Sequence, residues 1–162
     1  MCIDVSMSKQ QQADVDLVRT SLLSELVDGG KVGIVGFCWG AFAVFECCQK
    51  ENSFSVGVSL HPAIYIAEAF GHSPVKLAEN ITCPQLLLPA GNDKESDKPG
   101  GEVVNALQKL PAPIGPASKS VEFPDMAHGW VTRGDVANDP AIARDVDLAM
   151  KMTKDFLDAH LL

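Results

Sequence analysis

One stretch of the sequence decides the fold, KVGIVGFCWGAFAVF at residues 31–45. Residues 31–37 are a short apolar run rich in β-branched side chains, which is typical of a parallel strand buried on both faces. Residues 40–50 predict a mostly apolar helix that packs on the sheet. Cys38 lies in the turn between them, with Gly36 two residues before it and Gly40 two residues after it. A strand, a G-x-nucleophile-x-G turn and a helix in this order predict a nucleophile elbow.

The two glycines explain the spacing of the elbow. The nucleophile of an elbow sits in a strained turn, and neighbours without side chains let the strand and the helix approach each other. We expect the backbone N–H of Trp39, at the start of the helix, to point at a developing oxyanion. A buried structural cysteine in an ordinary strand–helix turn gives the same five-residue pattern, because free cysteines are often buried. The interpretation therefore depends on partners further along the chain.

Strands and helices alternate along the rest of the sequence. Residues 8–28 predict an amphipathic helix that ends at the Asp28-Gly29-Gly30 turn, since Val15, Val18, Leu22 and Leu26 recur on one face. Further strands are predicted at 54–60, 81–89 and 120–123, and further helices at 103–110 and, after the Asp139-Pro140 start signal, up to 162. This alternation predicts an α/β fold with a parallel sheet.

An acid for the elbow is expected after the third strand. Asp93 lies in the Gly91-Asn92-Asp93 turn just past residues 85–89, where the carboxyl end of a parallel strand meets solvent. We favour Asp93 as the group that orients a base. Asp97, four residues later in the same polar loop, is the alternative.

A base is expected after the fourth strand. His128 lies just past residues 121–123, and it completes the order nucleophile, acid, base that such enzymes use. His61 ends a strand and could also line the site, whereas His72 lies in a polar loop and His160 near the C-terminus. Asp125, three residues before His128, could be a local cap. The three favoured residues all follow strands, so we expect them at one edge of the sheet.

Composition and charge exclude several classes of function. A net charge of −8 repels phosphate backbones and anionic membranes, so no nucleic-acid or membrane partner is expected. The apolar run at residues 32–45 has 14 residues without a charge, whereas a membrane span needs about 20. The N-terminus has no basic region followed by an apolar stretch, and Asp4 comes early, so no signal peptide is expected. The five cysteines lack zinc-ligand spacing, and together these observations predict reduced thiols in a cytoplasmic protein. Neither H-E-x-x-H nor a phosphate-binding glycine motif occurs, so no metal or cofactor is expected.

The residues around the three candidates resemble the dienelactone hydrolase family of α/β-hydrolases. The resemblance rests on Gly36-Phe37-Cys38-Trp39-Gly40-Ala41, the turn that holds Asp93 and the Ala127-His128-Gly129 turn, and it runs from about Lys31 to the C-terminus. It implies a three-layer α/β-hydrolase fold with a parallel sheet. It also implies the hydrolysis of an ester or lactone, such as dienelactone, through a thioester. It assigns Cys38 as nucleophile, His128 as general base and then acid, and Asp93 as its orienter. Arg133 resembles the family's arginine that holds a substrate carboxylate.

Family members are normally longer by several N-terminal strands. Those strands carry a second oxyanion donor, a glutamate and another substrate-binding arginine. We therefore expect residues 1–162 to form one domain, the C-terminal two thirds of the family fold without its N-terminal strands. The alternative is a fragment or an impaired relative that acts as an interaction module. Without the N-terminal strands, the strand at 31–37 becomes a sheet edge, so we expect self-association or pairing with a missing N-terminal segment, and poor activity of the chain by itself.

A second enzyme class also uses a cysteine elbow, the amidotransferase superfamily. Its elbow usually has histidine directly after the cysteine, and its downstream base belongs to a His-x-Glu pair. Here Trp39 follows Cys38, and Gly129-Trp130 follows His128. The sequence therefore favours the dienelactone hydrolase interpretation.

Overall fold

The fold is built on a parallel sheet of four strands. The structure is a computed structural model, and it describes residues 9–25, 30–49 and 54–162. In these residues the strands are β1 (Gly33–Phe37), β2 (Val56–Leu60), β3 (Gln85–Leu88) and β4 (Lys119–Ser120). They lie in the order β1-β2-β3-β4, and every neighbouring pair is parallel. The predicted parallel α/β sheet is confirmed.

Helices connect and cover these strands. They are α1 (Lys9–Glu25), α2 (Gly40–Cys47), α3 (Pro74–Glu79), α4 (Glu102–Gln108), α5 (Ile114–Ala117), α6 (Trp130–Arg133) and α7 (Pro140–Leu161). Short 3₁₀ helices occupy Ile64–Phe70 and Glu95–Asp97. In the described part of the chain, no helix is long and apolar enough to cross a membrane.

The sheet lies between two hydrophobic clusters, one on each face. Phe42 and Phe45 of α2 pack with Leu107 of α4 on one face. Trp130 of α6 and Phe156 of α7 belong to the cluster on the other face. Because successive side chains of a strand point to opposite faces, β3 contributes alternately to the two clusters. Helix layer, sheet and helix layer make up the three-layer arrangement that the sequence predicted.

The start of α7 follows the predicted signal. Asp139 is its N-cap, and the Asp139 Oδ1 accepts hydrogen bonds from the backbone N–H of Ala141 at 2.9 Å and of Ile142 at 3.2 Å. Pro140 occupies the first turn, where its missing N–H leaves no hydrogen bond unmade.

Strand β1 differs from the prediction that it would be buried on both faces. In the described residues it pairs with β2 only, and Val35 is 37% exposed. Val18 and Leu22 of α1 are also exposed, and with β1 they line an apolar groove of about 380 Å³. Leu26, the last residue of the predicted helical stripe, and the Asp28-Gly29 part of the predicted stop signal lie outside the described residues.

The other predicted elements are present but shorter. The third strand begins only at Gln85, and the fourth consists of β4 and one isolated bridge between Ala90 and Phe123. The helix after the elbow ends at Cys47 rather than at residue 50. These differences leave the carboxyl ends of the strands, and the loops that follow them, where the sequence placed them.

Candidate active site

The three candidate residues meet at the carboxyl edge of the sheet. Cys38 follows β1 directly, Asp93 follows β3, and His128 follows the bridge residue Phe123. The His128 Nε2 lies 3.0 Å from the Cys38 Sγ. The His128 Nδ1 lies 2.5 Å from the Asp93 Oδ1. Thiol, imidazole and carboxylate thus form one continuous hydrogen-bonded chain, an arrangement that can move a proton from sulfur to nitrogen.

The turn at Cys38 has the strained geometry of an elbow. Cys38 has a φ of 54°, in the left-handed region that few residues other than glycine adopt. A Cβ on Gly36 would lie 2.3 Å from the Gly40 backbone oxygen and 2.8 Å from the Val44 side chain, so only glycine fits there. A Cβ on Gly40 would meet nothing within 4 Å. The expectation that both glycines make room was therefore wrong for Gly40, because the close approach is made by its carbonyl group and its Cα faces open space.

Asp93 is held by its own loop. Its Oδ2 accepts a hydrogen bond of 2.7 Å from the Ala90 N–H, and its side chain is 3% exposed. Gly91 packs so closely on the next loop that a Cβ there would lie 2.1 Å from the Pro124 oxygen. The Lys98 Nζ donates a hydrogen bond of 2.8 Å to the Gly91 oxygen. These contacts fix the Asp93 carboxylate with one oxygen directed at His128.

The His128 loop is tied to the Asp93 loop by a residue to which the sequence analysis gave no role. The Asn92 Oδ1 accepts a hydrogen bond of 2.6 Å from the His128 backbone N–H. Gly129 follows with a φ of 88°, a conformation that favours glycine. The signal for Asn92 was present, because asparagine side chains in turns commonly accept backbone hydrogen bonds.

Trp39 occupies the N-cap position of α2. The N–H groups before and in the first turn of a helix have no intrahelical acceptor, so the Trp39 N–H is free of the helix ladder. Trp39 directly follows Cys38 in sequence, and this is the position at which an elbow needs its oxyanion donor. Trp39 is 37% exposed, and its indole ring stands edge-on to Phe42, with centroids 6.2 Å apart.

Arg133 lies against the His128 turn. Its guanidinium covers Gly129, where an added Cβ would lie 2.2 Å from Nη2, and its Nη2 donates to the His128 carbonyl oxygen at 3.5 Å. His128, Trp130 and Arg133 line a cavity of about 360 Å³. Cys38 and Asp93 are not among the residues that line this cavity.

The alternative acid and base take different places. Asp97 is fully buried and accepts a hydrogen bond of 2.8 Å from the Ser96 hydroxyl, while its Oδ2 has no partner among the described residues. Burial raises the pKa of Asp97 to about 7. Asp125 is exposed and lines the same cavity as Arg133. Neither carboxylate hydrogen-bonds His128 in the described structure.

Of the other histidines, only His61 lies close to the site. Its ring is buried, and its centroid is 5.2 Å from that of His128. Burial, with a smaller contribution from His128, lowers the pKa of His61 to about 4. His72 is exposed, and His160 packs on Phe156 near the end of α7. Across the described residues, no group of three or more His, Cys, Asp or Glu side chains could hold a metal ion.

Comparison with known families and proteins gives a consistent set of matches. The model of the "Dienelactone hydrolase family" matches residues 3–161, which extends the resemblance noted from about Lys31. Two proteins named carboxymethylenebutenolidase homolog, from Pongo abelii and Homo sapiens, are 29% identical over 131 residues, or 81% of this chain and 49% of theirs. An uncharacterized AIM2 family protein of Schizosaccharomyces pombe is 29% identical over 75% of this chain and 44% of its own. The chain spans about half the length of the curated relatives it matches.

Solved structures share the fold. The orthorhombic crystal form of the Pyrococcus horikoshii acylaminoacyl peptidase superposes with a TM-score of 0.68 and 17% identity, over 94% of this chain and 28% of that chain. An acylaminoacyl peptidase in complex with Z-Gly-Gly-Phe-chloromethyl ketone gives a TM-score of 0.64 and 17% identity, over 90% of this chain and 26% of that one. At this identity the likeness shows the fold alone, and that fold is the predicted α/β-hydrolase type.

Proposed function

We propose, since this chain belongs to the dienelactone hydrolase family, that it is a hydrolase of carboxylic esters or lactones with Cys38 as its nucleophile. One observation carries the proposal. A single imidazole, His128, lies 3.0 Å from the Cys38 sulfur through Nε2 and 2.5 Å from the Asp93 carboxylate through Nδ1. This is the arrangement by which a base activates a nucleophile while a third group orients the base.

In the first half of the proposed reaction, the Cys38 thiol loses its proton to the His128 Nε2. The sulfur attacks the carbonyl carbon of the substrate and forms a C–S bond. The Trp39 N–H stabilises the negative charge on the carbonyl oxygen. Collapse of this intermediate breaks the ester C–O bond, and His128 gives its proton to the leaving oxygen. Asp93 holds the imidazole in the required tautomer and stabilises its cation.

In the second half, water releases the acyl group. His128 takes a proton from the water as the water attacks the thioester carbonyl. The C–S bond breaks, the carboxylic acid leaves, and Cys38 recovers its proton from His128. A lactone would be opened by the same two steps, with its alcohol and acid remaining in one product. No metal or cofactor enters this scheme.

For the substrate class, we propose a lactone or ester that carries a carboxylate. Arg133 supports this, because its guanidinium lies over Gly129 and lines the same cavity as His128. Asp125 and Asp139 line the same cavity, so an anionic substrate has to bind on its Arg133 side. Arg133→Gln tests the assignment. It should raise KM for a carboxylated ester while leaving KM for 4-nitrophenyl acetate unchanged, and equal effects on both substrates would contradict it.

The nucleophile is tested by turnover of 4-nitrophenyl acetate. We expect slow hydrolysis by the wild-type chain and none above the protein-free background by Cys38→Ala. Cys47→Ala is the matched control, because it makes the same chemical change in α2 away from the His128 contact. Equal turnover by the wild type and Cys38→Ala would contradict the proposal.

A second function, an interaction module, is favoured by the apolar groove between α1 and β1. In the described residues β1 has a paired neighbour on one side only, and unpaired apolar strand edges associate with other chains. We propose that the 162-residue chain by itself self-associates or takes up an N-terminal segment along this edge. Light scattering on the purified chain tests this: dimers or larger species are expected, and a monodisperse monomer would contradict it.

We also propose a reducing, cytoplasmic location. Cys38, Cys48 and Cys83 form no disulfide in the part of the chain that the structure describes, and Cys48 and Cys83 are buried. A hydrogen bond with Cys83, together with burial, raises the pKa of the Cys48 thiol and keeps it protonated. Imaging of the tagged chain in cells checks this location, and accumulation in a secretory compartment would contradict it.

A further inference from the structure

His61 occupies the position next to the elbow on the neighbouring strand. Phe37 and Leu60, the last residues of β1 and β2, are register partners, so Cys38 and His61 each follow a paired strand end. The Cys38 N–H donates a hydrogen bond of 3.1 Å to the Leu60 oxygen, and the Ala63 N–H donates one of 3.1 Å to the Cys38 oxygen. The segment that contains His61 is therefore tied to the elbow on both sides.

The backbone at His61 is strained in the same way as that of the elbow. His61 has a φ of 37°, and in the described chain it and Cys38 are the non-glycine residues with positive φ. Its N–H is held by a hydrogen bond of 2.9 Å to the Leu88 oxygen. Strained residues persist only where their surroundings hold them, and they concentrate at functional sites. A glycine at this position would relieve the strain, so the imidazole ring itself needs an explanation.

The ring packs on His128 rather than forming hydrogen bonds. It is completely buried, and neither ring nitrogen has a hydrogen-bond partner among the described residues. The rings of His61 and His128 meet edge to face, at 71° with centroids 5.2 Å apart, and the centroid of the Phe37 ring lies 5.9 Å from that of His61. Three ionisable groups act on His61 electrostatically: His128, Asp93 and Arg133. Burial lowers the pKa of His61 to about 4, so it is uncharged at neutral pH and adds no positive charge beside His128.

The His61 ring can restrict the orientation of the His128 imidazole. It lies in a loop, and its side chain is 24% exposed. Its hydrogen bond to Asp93 fixes Nδ1, but rotation about that contact still moves Nε2 relative to the Cys38 sulfur. A ring packed against the imidazole restricts this rotation. Such positioning matters because misplacement by about 1 Å can lower a rate about 100-fold.

We propose that His61 is a positioning residue whose buried ring holds the His128 imidazole in the orientation that contacts Cys38 and Asp93 at once. This inference rests on the proposed function, and it goes beyond it by adding a positioning residue behind the Cys38, His128 and Asp93 chain. This role requires the aromatic ring of His61 but neither of its ring nitrogens.

Three substitutions separate the ring from the other properties of His61. His61→Asn removes the ring but keeps a residue that tolerates the left-handed backbone, and His61→Gly is a second ringless variant without backbone strain. His61→Phe keeps a ring and removes the nitrogens. His160→Asn is the matched control, because it removes a histidine ring that packs edge-on to Phe156 on α7, away from the site. Thermal unfolding shows which variants fold.

Two readouts report on the orientation of His128. The first is kcat and KM for 4-nitrophenyl acetate. The second is the rate of Cys38 alkylation by iodoacetamide at pH 7 divided by the rate at pH 9.5. An unassisted thiol is only a few per cent thiolate at pH 7, so this ratio measures the help that Cys38 receives from His128. His128→Ala gives the ratio without that help.

We expect the ringless variants to lose at least tenfold in kcat with KM within twofold, and to give an alkylation ratio close to that of His128→Ala. His61→Phe and His160→Asn should stay within threefold of the wild type. A folded ringless variant with wild-type kcat and ratio would overturn the inference. A folded His61→Phe variant as impaired as His61→Asn would also overturn it, since the nitrogens would then be needed. If His61→Phe does not fold, the ringless variants decide. If the wild type hydrolyses no ester, the proposed function fails, and the alkylation ratio still decides the role of His61.

Discussion

Asp97 gives the chain a stability that depends on pH in a defined direction. Its carboxyl group is fully buried, and Ser96 is the side chain that donates to it. Burial raises its pKa from 3.8 to about 7. The folded state therefore binds the Asp97 proton more tightly than the unfolded state does. This contribution to the free energy of unfolding is fully present below about pH 4 and is lost as pH rises through about 7.

The size of the effect follows from the pKa difference. At about 1.4 kcal/mol for each pH unit between 3.8 and about 7, ionised Asp97 destabilises the fold by up to about 4 kcal/mol. Asp97→Asn keeps the shape and removes the charge. The variant should therefore be more stable than the wild type at pH 8.5, by up to that amount, and by only about 1.6 kcal/mol at pH 5, which is 1.2 pH units above 3.8.

Urea unfolding at the two pH values measures this difference directly. Asp147→Asn is the control, because it makes the same chemical change at an exposed carboxylate of α7, where the effect on stability should be small. An Asp97→Asn variant no more stable than the wild type at pH 8.5 would refute the reasoning. An equal gain at pH 5 and pH 8.5 would refute it too, because a buried charge destabilises only when it is ionised.

Three further predictions concern the elbow and its partners. Gly36→Ala should destabilise the chain by about 1–3 kcal/mol or more, because the added methyl group would clash with the Gly40 oxygen. Gly40→Ala, where a methyl group meets open space, should be neutral. Urea unfolding compares the two variants, and equal effects would contradict the elbow packing. His128→Ala should lower kcat for 4-nitrophenyl acetate by about 100- to 10,000-fold, and Asp93→Asn by less, with melting temperatures nearly unchanged; wild-type kcat in His128→Ala would rule out its role. Limiting iodoacetamide at pH 7 should label Cys38 before the three buried cysteines, because Cys38 is partly exposed and lies 3.0 Å from an imidazole nitrogen that can take its proton. Peptide mapping measures the order of labelling, and earlier labelling of a buried cysteine would contradict the prediction.

Local sequence signals predicted the parts of the fold that local physics controls. The apolar run before Cys38, the glycine at 36 and the Asp139-Pro140 pair each specify a strand, a turn or a helix start within a few residues. Strand ends at one edge then brought the favoured acid and base to the nucleophile, without any information on distances. The segment from Ile64 to Glu79 was missed although Ser73 and Pro74 form an N-cap signal, because its two helical pieces are too short to show a periodic pattern.

The remaining features depend on contacts between distant segments. The packing of His61 on His128 brings together two loop residues that are 67 positions apart in the sequence, and the burial of His61 depends on it. The open space at Gly40 follows from the direction of one carbonyl group, which a glycine motif does not encode. The exposure of Val35 depends on which strands flank β1, and an apolar β-branched run is the same at an edge as in the centre of a sheet.

The central claim is that Cys38 becomes acylated. Intact-mass spectrometry of the chain after brief incubation with 4-nitrophenyl acetate and acid quenching tests it most directly. We predict the mass of one added acetyl group, mapped to Cys38 as a hydroxylamine-sensitive thioester, and no such adduct in Cys38→Ala. An unmodified wild-type chain, or an acetyl group that persists in Cys38→Ala, would contradict the account.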